Sequence, residues 1–110
     1  MSYNVIPTEK FKREAKRLVR KYPSLKNELV QLTNELSENP SVGTPLGNNA
    51  YKIRLAIKSK GQGKSGGARI ITYLVMPSKE VYLLTIYDKS EFDTIDDKTL
   101  ESIIKSIKKN

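Results

Sequence analysis

The sequence contains no cysteine and no histidine. Without cysteine the chain has no disulfide, no thiolate nucleophile and no cysteine zinc site, and without histidine it lacks the commonest metal ligand and the usual general base near neutral pH. Any catalysis must therefore run on Lys, Arg, Tyr, Asp or Glu. Long apolar runs are also missing, with nothing near the ~18 residues that suggest a membrane span. The stretch Met1 to Pro7 has neither the basic start nor the apolar core of a signal peptide. A cytoplasmic protein with no membrane partner is expected. Acid is scarce: 12 Asp and Glu stand against 20 Lys and Arg, a net charge of +8, which favours a polyanionic partner. At 110 residues, 37% of them hydrophobic, the chain suits one domain spanning residues 1–110.

Tyr3 to Ile6 is a short β-prone run ended by Pro7, and Thr8 offers an oxygen to cap a following helix. In that helix Phe11, Ala15, Leu18, Val19 and Tyr22 form one apolar stripe, and the other faces carry basic residues that include Lys16 and Arg20. Tyr22-Pro23 breaks it. Ser24 is expected to cap a second helix, marked by Leu25, Leu29, Leu32 and Leu36 and ended at Asn39-Pro40. The two should form a helical hairpin. Residues 40–49, with two Pro and two Gly, read as a loop. Alternation from Tyr51 to Lys58 predicts a half-buried strand. Ala68 to Met76 and Glu80 to Tyr87 predict two more, joined as an antiparallel meander. Leu100, Ile103, Ile104 and Ile107 mark a closing helix with acids at its start and lysines at its end. The predicted order is β-α-α-β-β-β-α, an α+β fold with a mainly antiparallel sheet, a helical hairpin and a C-terminal helix.

The Gly-rich segment from Ser59 to Gly67 resembles a phosphate cradle only in letters. Gly61 to Gly66 fits GxGxxG, and Gly63-Lys64-Ser65 looks like the end of a P-loop. The first P-loop glycine is replaced by Lys58, however, and a strand rather than a helix follows. A basic hairpin loop is the better reading. The acids near residues 88–101 match no calcium-loop spacing, and Asp93, Asp96 and Asp97 are better placed as helix caps than as metal ligands. No cofactor is expected.

The charge distribution is more informative than its sum. Lys52, Arg54, Lys58, Lys60, Lys64 and Arg69 lie between Tyr51 and Val75 without one acid among them. Lys52, Arg54 and Lys58 are expected on one strand face, neighbours two apart lying about 6.5–7 Å from each other. A stripe of one sign costs self-repulsion unless a polyanion relieves it.

Tyr51 to Leu55, Gly66 to Tyr73 with its Arg69, and Val81 to Glu91 together resemble the RelE/ParE superfamily of bacterial toxins, most of all its HigB-like members. The resemblance is close over residues 50–92 and extends to the helices in order and length. It implies a RelE-like single domain: the toxin of a type II toxin-antitoxin system, a ribosome-dependent, metal-independent mRNA endoribonuclease acting in the ribosomal A site, held by a cognate antitoxin. Residue by residue, it implies catalytic positions at Lys52, Arg54, Arg69 and Lys89, with Tyr87 and Glu91 as further candidates. The implied reaction is attack by a ribose 2′-hydroxyl, with Lys and Arg stabilising the phosphorane. The base is either a lysine kept neutral by neighbouring cations or Glu91. Lys58, Lys60, Lys64, Lys16 and Arg20 are candidates for contact with mRNA or ribosomal RNA. Two other functions fit the same sequence: a ParE-type poison of DNA gyrase, and a non-catalytic RNA- or ribosome-binding module.

Overall fold

The computed structural model describes residues 2–61, 63, 66–91 and 95–108. Its elements are β1 (Asn4–Pro7), α1 (Glu9–Lys21), α2 (Leu25–Glu38), β2 (Thr44–Gly47), β3 (Ala50–Leu55), a short 3-10 turn (Lys58–Lys60), β4 (Ala68–Val75), β5 (Glu80–Asp88) and α3 (Asp97–Lys108). The five strands form one sheet in the order β1-β5-β4-β3-β2. β3, β4 and β5 make the expected antiparallel meander, and β1 joins β5 in parallel.

β2 was not expected. Residues 44–47 pair antiparallel with β3 through a tight turn at Asn48 and Asn49, both with positive φ (55° and 65°). Asparagine is among the few residues that accept this conformation, which matches the twist of a two-residue hairpin. The strand expected to reach Lys58 stops at Leu55.

Each helix is started differently. Thr8 caps α1 by accepting from the Phe11 N–H (3.2 Å), while its own hydroxyl donates to the Leu83 carbonyl (3.0 Å) and so ties the helix to β5. Ser24 does not cap α2; its side chain turns instead to Ser59 and Glu28. Asp96 precedes α3 and accepts from the Thr99 N–H (2.7 Å), the bond expected of a capping aspartate. Asp93 lies outside the described residues.

The sheet buries both faces. On one, α1 and α2 pack Phe11, Leu18, Leu25, Leu32 and Leu36 against Ile53, Ile70, Leu74, Val81, Leu83 and Ile86. On the other, α3 packs Leu100 and Ile104 against Ala50, Ile71, Tyr73, Leu84 and Tyr87. A bulge changes which β5 residues face which layer: Ile71 pairs with Thr85 and Thr72 with Leu83, so Leu84 is the extra residue. Strict alternation would put Leu84 and Tyr87 on opposite faces, whereas the bulge puts both against α3 and turns Ile86 towards the helical hairpin.

Candidate functional site

The register of the central strands assembles the site. Arg54 on β3 stands opposite Arg69 on β4, and Arg69 stands opposite Tyr87 on β5. Directly opposed residues project to the same side of a sheet, and Tyr87 shows which side this is, since it packs in the α3 layer. Lys52, two residues before Arg54, is on the same face and pairs with Ile71. Four expected site residues thus share one end of one sheet face: Lys52, Arg54, Arg69 and Tyr87. Arg54 is exposed and Lys52 half-buried, whereas Arg69 is 3% exposed and Tyr87 6%. The Arg69 guanidinium donates to the Ala68 carbonyl (3.1 Å). Arg54 and Lys52 are therefore the cations at the surface, with Arg69 beneath them.

Lys89 follows directly on β5, and its backbone N–H donates to the Gly67 carbonyl (3.0 Å), joining the strand end to the end of the Gly-rich segment. Gly67 has no alternative there, because a Cβ would overlap the Leu55 carbonyl oxygen.

Other expected residues are placed elsewhere. Lys58 is not on the strand face; it opens the 3-10 turn, and its N–H donates to Glu28 Oε2 (2.8 Å). Glu28 is an acid on the apolar side of α2, and with Ser24, which accepts from the Ser59 N–H (2.9 Å), it docks this turn onto the helix. The Lys58 side chain remains exposed. Lys60 departs furthest from the surface role expected of it. Its ammonium donates to Asp88 Oδ1 (2.5 Å), with 11% of the lysine side chain and none of the aspartate exposed. Asp88 also accepts from the Tyr22 hydroxyl (2.8 Å) and from the Ser90 N–H and hydroxyl (2.9 and 2.8 Å). Burial alone would push the Asp88 carboxyl up; the donors from Lys60, Ser90 and Tyr22 outweigh it and hold the group well below the usual carboxylate range.

Glu91, a candidate base, is outside the row. Arg17 on α1 donates to both of its carboxylate oxygens (3.3 and 2.8 Å). Lys16 and Arg20 border a shallow groove on α1 that also includes Pro7, Phe11, Ala15 and Val19, away from the cationic row. Lys64 lies outside the described residues.

The edge of β5 at this end of the molecule is closed by a helix rather than a strand. β1 covers β5 only as far as Leu83, so beyond that point α1 takes over the strand edge. Glu14 Oε1 accepts from the Thr85 hydroxyl (2.7 Å) and the Ile86 N–H (3.3 Å), in place of a neighbouring strand. Between this edge and the start of α3 lies a cleft of about 320 Å³, lined by Lys10, Glu14, Thr85, Tyr87, Ile95, Asp96 and Thr99.

A mixed sheet with a helical hairpin on one face and a single helix on the other, carrying a cationic cross-strand row, defines a small α+β protein. The comparisons with known proteins sharpen this. The model of the family described as "RelE toxin of RelE / RelB toxin-antitoxin system" matches residues 4–110, and the chain belongs to that family of toxins. Its fold is similar to that of a double arginine-to-alanine variant of the Escherichia coli toxin RelE in the free state, with a TM-score of 0.65 and 17% identity over 97% of this chain and 99% of that one. It is also similar to a chain of the toxin-antitoxin complex RelBE2 from Mycobacterium tuberculosis, with a TM-score of 0.60 and 19% identity over 80% of this chain and 99% of that one. No described helix is long and apolar enough to cross a membrane.

Proposed function

We propose that this toxin is a ribosome-dependent mRNA endoribonuclease that stops translation by cutting the message in the ribosomal A site. The observation that carries the reading is the row in which Arg54, Arg69 and Tyr87 stand in register across three strands, with Lys52 beside them. Attack of a ribose 2′-oxygen on the adjacent phosphorus forms one P–O bond as the bond to the 5′-oxygen breaks, giving a 2′,3′-cyclic phosphate and a 5′-hydroxyl. The phosphorane between them carries extra negative charge, and cationic donors held in place before the reaction stabilise it without reorganisation. Arg54 and Lys52, at the surface, meet the phosphate, and Arg69 supports them from below. The proton leaving the 2′-hydroxyl goes to a base, and one is delivered to the departing 5′-oxygen. With Glu91 bound by Arg17 and the Tyr87 hydroxyl enclosed in the sheet, Lys52 is the titratable group of the row left for these transfers. The ribosome holds the RNA in line, which suits a site composed mainly of charge.

The family of the toxin and the RelBE2 complex support a cognate antitoxin as the partner that restrains it. The test is a cell-free translation reaction in which message ends are mapped by primer extension. The reading predicts new 5′ ends within A-site codons that depend on translating ribosomes. Intact message accompanied by trapped, cleaved DNA–gyrase complexes would replace it with the gyrase reading.

A further inference from the structure

We propose that the cleft between α1 and the start of α3 is a nucleobase-recognition site, in which Lys10 and Glu14 read the base next to the cut; this rests on the endoribonuclease reading. Tyr87 belongs both to the row and to the cleft wall. Strands are about 4.8 Å apart, so a phosphate at Arg54 and Arg69 has the cleft one to two strand spacings away, within reach of a base on the same nucleotide or its neighbour. The volume, about 320 Å³, is at the small end of ligand sites and suits a single base.

Glu14 Oε1 is occupied by the Thr85 hydroxyl and the Ile86 N–H, and Oε2 accepts one bond from Lys10 Nζ (2.5 Å). A carboxylate oxygen accepts two bonds and an ammonium donates three. Lys10 uses one N–H on Glu14 and a second on Thr85 Oγ1 (3.3 Å). The pair therefore presents one acceptor beside one donor, and the edge of a base presents a donor beside an acceptor. Neither side chain is fully buried, 42% of Lys10 and 27% of Glu14 being exposed, so both can be approached. Anchoring of Glu14 by the β5 edge fixes the direction in which the pair points.

The experiment maps cut sites across a mixed-sequence message in translation reactions and compares base frequencies around the cut, normalised to total cuts, for the wild type, Lys10→Met and Glu14→Gln. Lys10→Met removes the donor and should flatten the preference at one position by threefold or more. Glu14→Gln can keep its oxygen on Thr85 and Ile86 while presenting an amide N–H in place of Oε2, so it should change which base is preferred at that same position. Loss of fold or of rate alone would lower all cuts together and leave the normalised frequencies as they were. Cutting by the wild type with frequencies unchanged in both variants overturns the cleft assignment and leaves the endoribonuclease reading intact. No cutting by the wild type removes that reading and this inference with it.

Discussion

Arg54 and Arg69 face each other directly across β3 and β4, two guanidinium-bearing residues where a sheet built for stability alone would pair opposite charges or apolar groups. Like charges opposed across strands are destabilising, and such pairs are worth roughly 0.2–1 kcal/mol. Replacing the exposed partner, Arg54→Thr, is expected to raise the unfolding free energy by a few tenths to about 1 kcal/mol while lowering activity. Chemical denaturation beside an activity assay checks both signs.

The Lys60–Asp88 pair is a different kind of charge, one that holds the end of β5 and the 3-10 turn together. Breaking a buried pair leaves an uncompensated charge, at a cost of about 3–5 kcal/mol. Lys60→Met should therefore destabilise strongly, and Lys60→Met with Asp88→Asn should recover part of the loss. Equal stability of the single variant and the wild type in urea would show that Lys60 is a surface residue after all.

The same carboxyl predicts a pH dependence. Its folded value lies below the unfolded value of about 3.9, so the unfolded state binds the proton more readily and stability falls as pH falls. The stabilisation is fully present well above pH ~4 and is lost progressively below that. Asp88→Asn should flatten the stability curve in this acid range, as read by thermal melting at a series of pH values.

These charges divide what can be read along the chain from what cannot. Helix and strand periodicity marks α1, α2, α3 and the meander, because each has a face that must be buried, and the unbroken run of cations marks Lys52, Arg54 and Arg69. Local patterns do not show the bulge at Leu84, which decides that Tyr87 joins the row. Nor do they separate a lysine that faces solvent from one, like Lys60, whose partner Asp88 is distant in sequence and folds in beneath it. Two signals of this buried polar set do stand in the sequence: Glu28 within an apolar stripe, and Asp88 ending a mostly apolar strand. The Asn48-Asn49 pair, whose positive φ makes the turn into β3, is a third signal, for β2.

Gly67 tests how tightly the Gly-rich segment returns to the sheet. A methyl group there overlaps the Leu55 carbonyl oxygen, and relieving such overlap costs about 1–3 kcal/mol. Gly67→Ala should lose that much stability. Gly61 and Gly63 have open space around an added Cβ, and Gly63→Ala should change stability little.

Thr8 links the entry of α1 to β5. Thr8→Ala removes an N-cap worth about 1 kcal/mol and the bond to the Leu83 carbonyl. Amide hydrogen exchange should report faster opening in the first turn of α1 and only small changes in α3.

The proposed cut by cations set in register on the sheet is best probed with Arg54→Ala, because Arg54 is exposed and its loss leaves no cavity in the core. Rates of A-site message cleavage are measured by primer extension in a translating extract, with the fold of the variant verified by its melting curve. A folded protein whose cleavage rate falls by about 10²-fold or more is expected; a folded variant that cuts as fast as the wild type would overturn the assignment of the row.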